Sequence, residues 1–189
     1  MHEQNMLFKL NKKLALVTGA GRGNGASIAK GLATAGAQVV VIDVDGDSAK
    51  QTAELIRAAD GTAWSYKLDI TDAQACSDLS KQIASEVGLI DVLVNNAGVL
   101  LRSPIDGPDA AQQWHTTLNV NVNGPFNMTQ AFLPALKSQR GTIVNVASIQ
   151  SFVAAPTSAS YATSKGAVVQ FTRTLAAELG PFGIRVNAI

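Results

Sequence analysis

Cysteine is nearly absent from this chain: Cys76 stands alone among 189 residues, and there are only two histidines, His2 and His115. An internal disulfide is excluded, and no Cys/His cluster has the spacing of a metal site, so the sequence points to a reduced compartment and to no bound metal. Charge is equally sparse. Fifteen Lys and Arg stand against fourteen Asp and Glu, a net charge of +1, so no overall field draws the chain toward nucleic acid or an anionic membrane. Long apolar runs are missing too. None approaches the roughly 18 residues a membrane span needs, and the opening "MHEQNMLFKLNKK" lacks the apolar core of a secretory signal. These absences leave a cytoplasmic protein whose partner is a small molecule, with neither nucleic acid nor membrane as a partner.

Short β-branched runs, by contrast, are plentiful. "KLALVT", "QVVVID", "TAWSYKLD", "IDVLVNN", "GTIVNVAS" and "GIRVNAI" recur with helix-length stretches between them. Continuous apolar strands indicate a sheet buried on both faces, and right-handed crossovers then give an α/β fold with a doubly wound parallel sheet of six strands. No linker, low-complexity tract or solenoid repeat divides the sequence, so residues 1–189 read as one domain. "RVNAI" reads as a buried sixth strand. A terminal carboxylate in a sheet interior would be costly, so the sequence reads as part of a longer chain unless that end reaches solvent.

The first strand runs into "TGAGRGNGASIA", which sets Gly19, Gly21, Gly23 and Gly25 between a strand and a helix. Residues without Cβ let the backbone approach a pyrophosphate, while the helix N-terminus offers free N–H groups; a plain tight turn is the simpler alternative. Asp43 closes the second strand twenty positions after Gly23, where an acid can bond the adenosine ribose hydroxyls and repel a 2′-phosphate. This favours NAD over NADP, although Arg22 in the loop could attract that phosphate, and a surface Asp at a strand end is the other reading. Asp69 ends the third run and "VNNAG", with Asn96, Ala97 and Gly98, ends the fourth; both lie at carboxyl ends of strands, where open α/β sheets bind ligands. Asp69 could equally cap the next helix, though Thr71 and Asp72 are better suited to that.

One of the two tyrosines, Tyr161 in "SASYATSKG", precedes Lys165 by four residues, on one face of a helix. Free tyrosine is ionised at neutral pH only about one time in a thousand. An ammonium at about 5 Å in an effective dielectric near 20 stabilises a phenolate by roughly 3 kcal/mol, which suits Tyr161 to general acid–base work. A surface Tyr lying over a Lys stem is the alternative. Ser148 closes the fifth run and can donate to a substrate oxygen as charge develops on it, or simply cap a turn. No histidine is placed to activate it, which disfavours a Ser-His-Asp hydrolase.

Taken together, "TGAGRGNG", "NNAG", "NVNVNG", Ser148 and "YATSK" resemble the short-chain dehydrogenase/reductase family from Leu14 to Ile189. The resemblance implies a Rossmann-type sheet and reversible hydride transfer between a nicotinamide cofactor, NAD in preference to NADP, and an alcohol or carbonyl. It implies Tyr161 as acid–base, Lys165 on the nicotinamide ribose, Ser148 orienting the carbonyl, and Asp69 with Ile70 beside the cofactor. Spacing from Trp114 and Gly124 selects Asn121, in the long helix after the fourth strand, as the residue that helps hold a proton-relaying water; an Asn bonding its own helix is the alternative. Homodimers or homotetramers paired through the helices of Asn121 and Tyr161 are also implied. The sequence departs from the family at Asn24, where an aliphatic residue is usual, and in lacking the family's continuation into a substrate lid and a further strand. A non-catalytic dinucleotide sensor or scaffold, and a Rossmann-type methyltransferase, are the competing expectations.

Overall fold

The computed structural model describes residues 10–189; the reading of the N-terminal stretch, His2 included, lies outside them for its first nine residues. Six strands, β1 (Leu14–Thr18), β2 (Gln38–Asp43), β3 (Thr62–Lys67), β4 (Val92–Asn95), β5 (Thr142–Asn145) and β6 (Arg185–Ala188), form one parallel sheet in the order β3-β2-β1-β4-β5-β6. The chain moves outward from β1 to β3, then returns to lay β4 on the other side of β1. That reversal opens a crevice at the carboxyl ends of β1 and β4, the usual ligand position of a doubly wound sheet.

Alternation along β1 sorts its side chains between two cores. Leu14 and Leu16 pack with Met128, Phe132 and Leu136, whereas Ala15 and Val17 pack with Ala29, Ala49, Ala53 and Ile56. Helices α1 (Gly23–Thr34) and α2 (Gly46–Ala58) therefore cover one face, and α3 (Ala73–Glu86), α5 (Gly124–Gln139) and α6 (Ala159–Leu179) the other. Each fully buried Leu, Ile or Phe stabilises the fold by roughly 1.5–3 kcal/mol, so the strand ends rest on a firm base. Asp45 caps α2 through Asp47 N and Ser48 N, and Asp72 caps α3 through Ala75 N.

Four expectations need correction. β3 and β6 are edge strands, so Trp64 and Tyr66 are only partly buried and β6 buries Val186 alone; Ile189 is 71% exposed at the sheet edge. β3 stops at Lys67, leaving Asp69 in a turn where its carboxylate accepts from Thr71 N (2.9 Å) and Thr71 Oγ1 (2.8 Å). β5 stops at Asn145, which puts Ser148 three residues past the strand. The long helix is broken: α4 (Ala110–Leu118) and α5 are joined by a π-turn, Asn119–Asn123, with Asn121 buried at its centre. The extra residue in a π-turn changes the phase of the helix, and such turns are common at functional sites.

Candidate active site

The glycine loop is shaped by close contacts rather than by flexibility. At Gly19 (φ 60°) a Cβ would stand 2.7 Å from Ala97 Cα, and at Gly25 it would collide with the Gly19 carbonyl. The β1–α1 loop thus lies flat against the β4 end, and a larger residue at either position would force the two apart. Thr18, the last residue of β1, ties the same junction. Its Oγ1 accepts from Asn96 N and Ala97 N, both at 3.1 Å, and Asn96 Nδ2 donates to the carbonyls of Thr18 (2.9 Å) and Gly19 (3.0 Å).

Asp43 closes the loop from the other side. One carboxylate oxygen accepts from Gly21 N at 2.8 Å and the other from Asp45 N at 3.0 Å. A Cβ on Gly21 would press on Asp43 Oδ2 (2.9 Å) and Ser48 Cβ (2.6 Å). Arg22 is exposed, and its guanidinium adds to the bonds from Ser48 that hold the Asp45 carboxyl below its ordinary value. The crevice, about 1500 Å³, is lined by Gly19, Arg22, Asn24, Gly25, Asp43, Asp69, Ile70, Asn96, Ala97 and Gly98, and continues to Ser148, Tyr161 and Lys165. Gly21 and Gly23 are not part of this lining; Gly23 (φ 55°) is exposed and begins α1. A flat Gly-lined floor at a helix N-terminus, with a carboxylate at the end of β2, fits a dinucleotide.

At the far end Lys165 is only 5% exposed. Its Nζ lies 5.7 Å from the centre of the Tyr161 ring and donates to the Val146 carbonyl at 2.6 Å. Burial pushes its pKa down to about 8. It therefore carries its proton at pH 7 by about ten to one, and two of its three N–H groups remain for other acceptors. Ser148 caps a short 3₁₀ turn, Ile149–Ser151, and its Oγ accepts from Gln150 N at 3.1 Å. A hydroxyl used as acceptor in this way keeps its proton available for donation. Ser151 Oγ donates to the Lys165 carbonyl at 3.0 Å, tying that turn to α6.

Asn121 stands behind Gly98. Its Oδ1 accepts from Val99 N at 2.8 Å, and its Nδ2 donates to Val99 O (2.9 Å) and Ser164 Oγ (3.0 Å). Ser164 is fully buried and donates onward to the Tyr161 carbonyl at 2.7 Å. The side chain is thus spent on the Val99 backbone and the Ser164 hydroxyl, and both of its N–H groups are occupied. Thr18, Val146 and Ser164 take part without having been singled out from sequence. The Thr before the glycine loop and the Ser before Lys165 were visible signals, but a main-chain carbonyl such as that of Val146 leaves none.

The short chain dehydrogenase family profile matches residues 13–189. The chain is 37% identical over 187 residues to a trans-4-hydroxycyclohexanecarboxylate dehydrogenase of Sinomonas cyclohexanicum, covering 96% of this chain and 72% of that protein. It is 39% identical over 183 residues to a D-threitol dehydrogenase of Mycolicibacterium smegmatis, covering 96% and 70%. Among solved structures, a gluconate 5-dehydrogenase from Burkholderia cenocepacia in complex with NADP and tartrate matches with a TM-score of 0.90 at 38% identity, covering 96% of this chain and 71% of that one.

Proposed function

The chain belongs to the short-chain dehydrogenase family, and from that premise we propose that it transfers a hydride between NAD(H) and a secondary alcohol or its ketone. The observation that carries this reading is the meeting of Tyr161, Lys165 and Ser148 in the crevice that begins at the glycine loop. When bound, the nicotinamide supplies the hydride acceptor or donor. During alcohol oxidation Tyr161 takes the hydroxyl proton, and Ser148 donates to the substrate oxygen and holds it in line. Lys165 sets its ammonium on the side of the Tyr161 ring, and its free N–H groups are available to the ribose. Asn121 keeps Val99 and Ser164 in place. Any water it helps hold beside Lys165 must meet its Oδ1 or main-chain oxygens.

The preference for NAD rests on Asp43. Its carboxylate is fixed by two backbone N–H groups beside the glycine loop, where its charge would repel a 2′-phosphate. The solved relative that carries NADP argues for a nicotinamide dinucleotide of either kind. The described residues serve as one dinucleotide-binding and catalytic domain. Two copies pair through α5 and α6, where Phe126 is 49% exposed and packs on Phe171 with ring centres 6.4 Å apart; a monomeric mass at micromolar concentration would refute that pairing.

Replacing Tyr161 with Phe tests the chemistry. Turnover measured as nicotinamide reduction across a panel of secondary alcohols should fall by about 10² to 10⁴-fold, with NAD affinity nearly intact. Unchanged turnover would remove the assigned acid–base.

A further inference from the structure

Two adjacent residues at the end of β5 hold α6 at two points. The Val146 carbonyl accepts from Lys165 Nζ at 2.6 Å, and Asn145 Nδ2 donates to Thr172 Oγ1 at 2.9 Å. Residues 165 and 172 are seven apart, so they share a helix face and lie about 10 Å apart along the axis. A single attachment is a pivot about which a helix can rock, whereas two attachments at that spacing fix both its direction and its depth.

The second attachment is expensive to place there. Asn145 is fully buried and Thr172 is 6% exposed. A Leu facing a Val would fill comparable space with no polar group to satisfy, and such a replacement is often neutral or stabilising. The bonds around the pair leave it little freedom. Asn95 Nδ2 donates to Asn145 Oδ1 at 2.9 Å, and the Thr172 hydroxyl donates to the Val168 carbonyl at 2.8 Å. The Asn145 amide orientation is thereby set, and Thr172 Oγ1 is committed to accepting from it. Asn95 Oδ1 is left without a partner among the described residues, but the bonds that join β5 to α6 are made, and a buried hydrogen-bonded pair of this kind rigidifies the arrangement of the elements it joins. Ser148 follows Asn145 by three residues, and Tyr161 precedes Lys165 by one turn. The same lock therefore governs the distance between the hydroxyl and the phenol.

We infer that Asn145 and Thr172 are positioning residues, whose hydrogen bond sets the seating of α6 on β5 and through it the alignment of Lys165 and Tyr161 with Ser148. The effect on turnover rests on the hydride-transfer reading; the effect on Lys165 does not.

The test compares Thr172→Val, which removes the acceptor at nearly the same volume, with Thr172→Ser, which keeps it. Two quantities are read in the intact protein: kcat for alcohol oxidation, and the titration midpoint of Lys165 followed by NMR of labelled lysine. Thr172→Val should lower kcat by about tenfold, the scale expected for a misplacement of under 1 Å, and should move the Lys165 midpoint by about half a pH unit or more. Thr172→Ser should match the parent in both. The inference is overturned if the two variants share the parent's values, or if kcat falls while the Lys165 midpoint stays. Should the unpaired Asn145 amide unfold Thr172→Val, the double variant Asn145→Leu/Thr172→Val decides in its place: regained stability with lost turnover and a moved midpoint supports alignment, and parental turnover overturns it. If the parent itself oxidises no alcohol, the hydride-transfer reading fails, and the Lys165 midpoint alone decides the inference.

Discussion

Replacing Lys165 with Met should make the protein more stable as it disables it, and the gain should depend on pH in a definite way. Burial holds the folded pKa near 8 against an unfolded value of 10.5. Below about pH 8 both the folded and the unfolded chain carry the proton, and the penalty for burying the charge is present in full. Between about 8 and 10.5 the folded chain has released its proton while the unfolded chain still binds one. Stability of the parent therefore rises with pH across that window, and above it the penalty is gone. The difference corresponds to about 3 kcal/mol. Met fills the same space without a charge and lacks this dependence. Urea unfolding of both proteins at intervals from pH 7 to pH 10 should show the stability of the Met variant relative to the parent falling by most of that amount. Tyr66, pushed up to about 12 by burial and by Glu86, titrates alike in both and cancels. A difference that stays flat across the range would refute the buried-charge account. The lost Val146 bond adds an offset but no slope.

Asp43→Ala should relax discrimination against NADP, read as the ratio of the two cofactors' dissociation constants, and should loosen the loop because Gly21 N and Asp45 N lose their acceptor; an unchanged ratio would remove the ribose-acid argument. Gly25→Ala should abolish measurable cofactor binding, since the added methyl meets the Gly19 carbonyl and the Asn96 amide, and should destabilise the fold by about 1–3 kcal/mol in thermal unfolding; binding at parental affinity would show that the loop yields.

Much of this architecture could be read from the residues because its signals are local. β1 and β2 are continuous apolar runs, and the glycine loop sits directly between β1 and α1. The family profile sets aside the methyltransferase alternative. What escaped depends on distant partners. Nothing in "TAWSYK" or "RVNA" says that those strands lie at the edges, because edge position follows from the order of all six. "NVNVN" reads as ordinary helix, and only the pairing of Asn121 with Val99, 22 residues away, accompanies the wider turn. The four-residue spacing places Lys165 beside Tyr161, but its burial and its bond to Val146 come from the packing of α6 on β5.

The widened turn at Asn119–Asn123 has a bearing on how this segment can vary. Each helical residue turns the chain by about 100°, so removing one residue there would let α4 and α5 merge into a single regular rod. That rod would no longer present both of its present faces. With α5 seated by Met128, Phe132 and Leu136, α4 would swing its inner side away from α6, against which it now packs. The stretch can therefore accept changes of residue far more readily than a change in its number of residues.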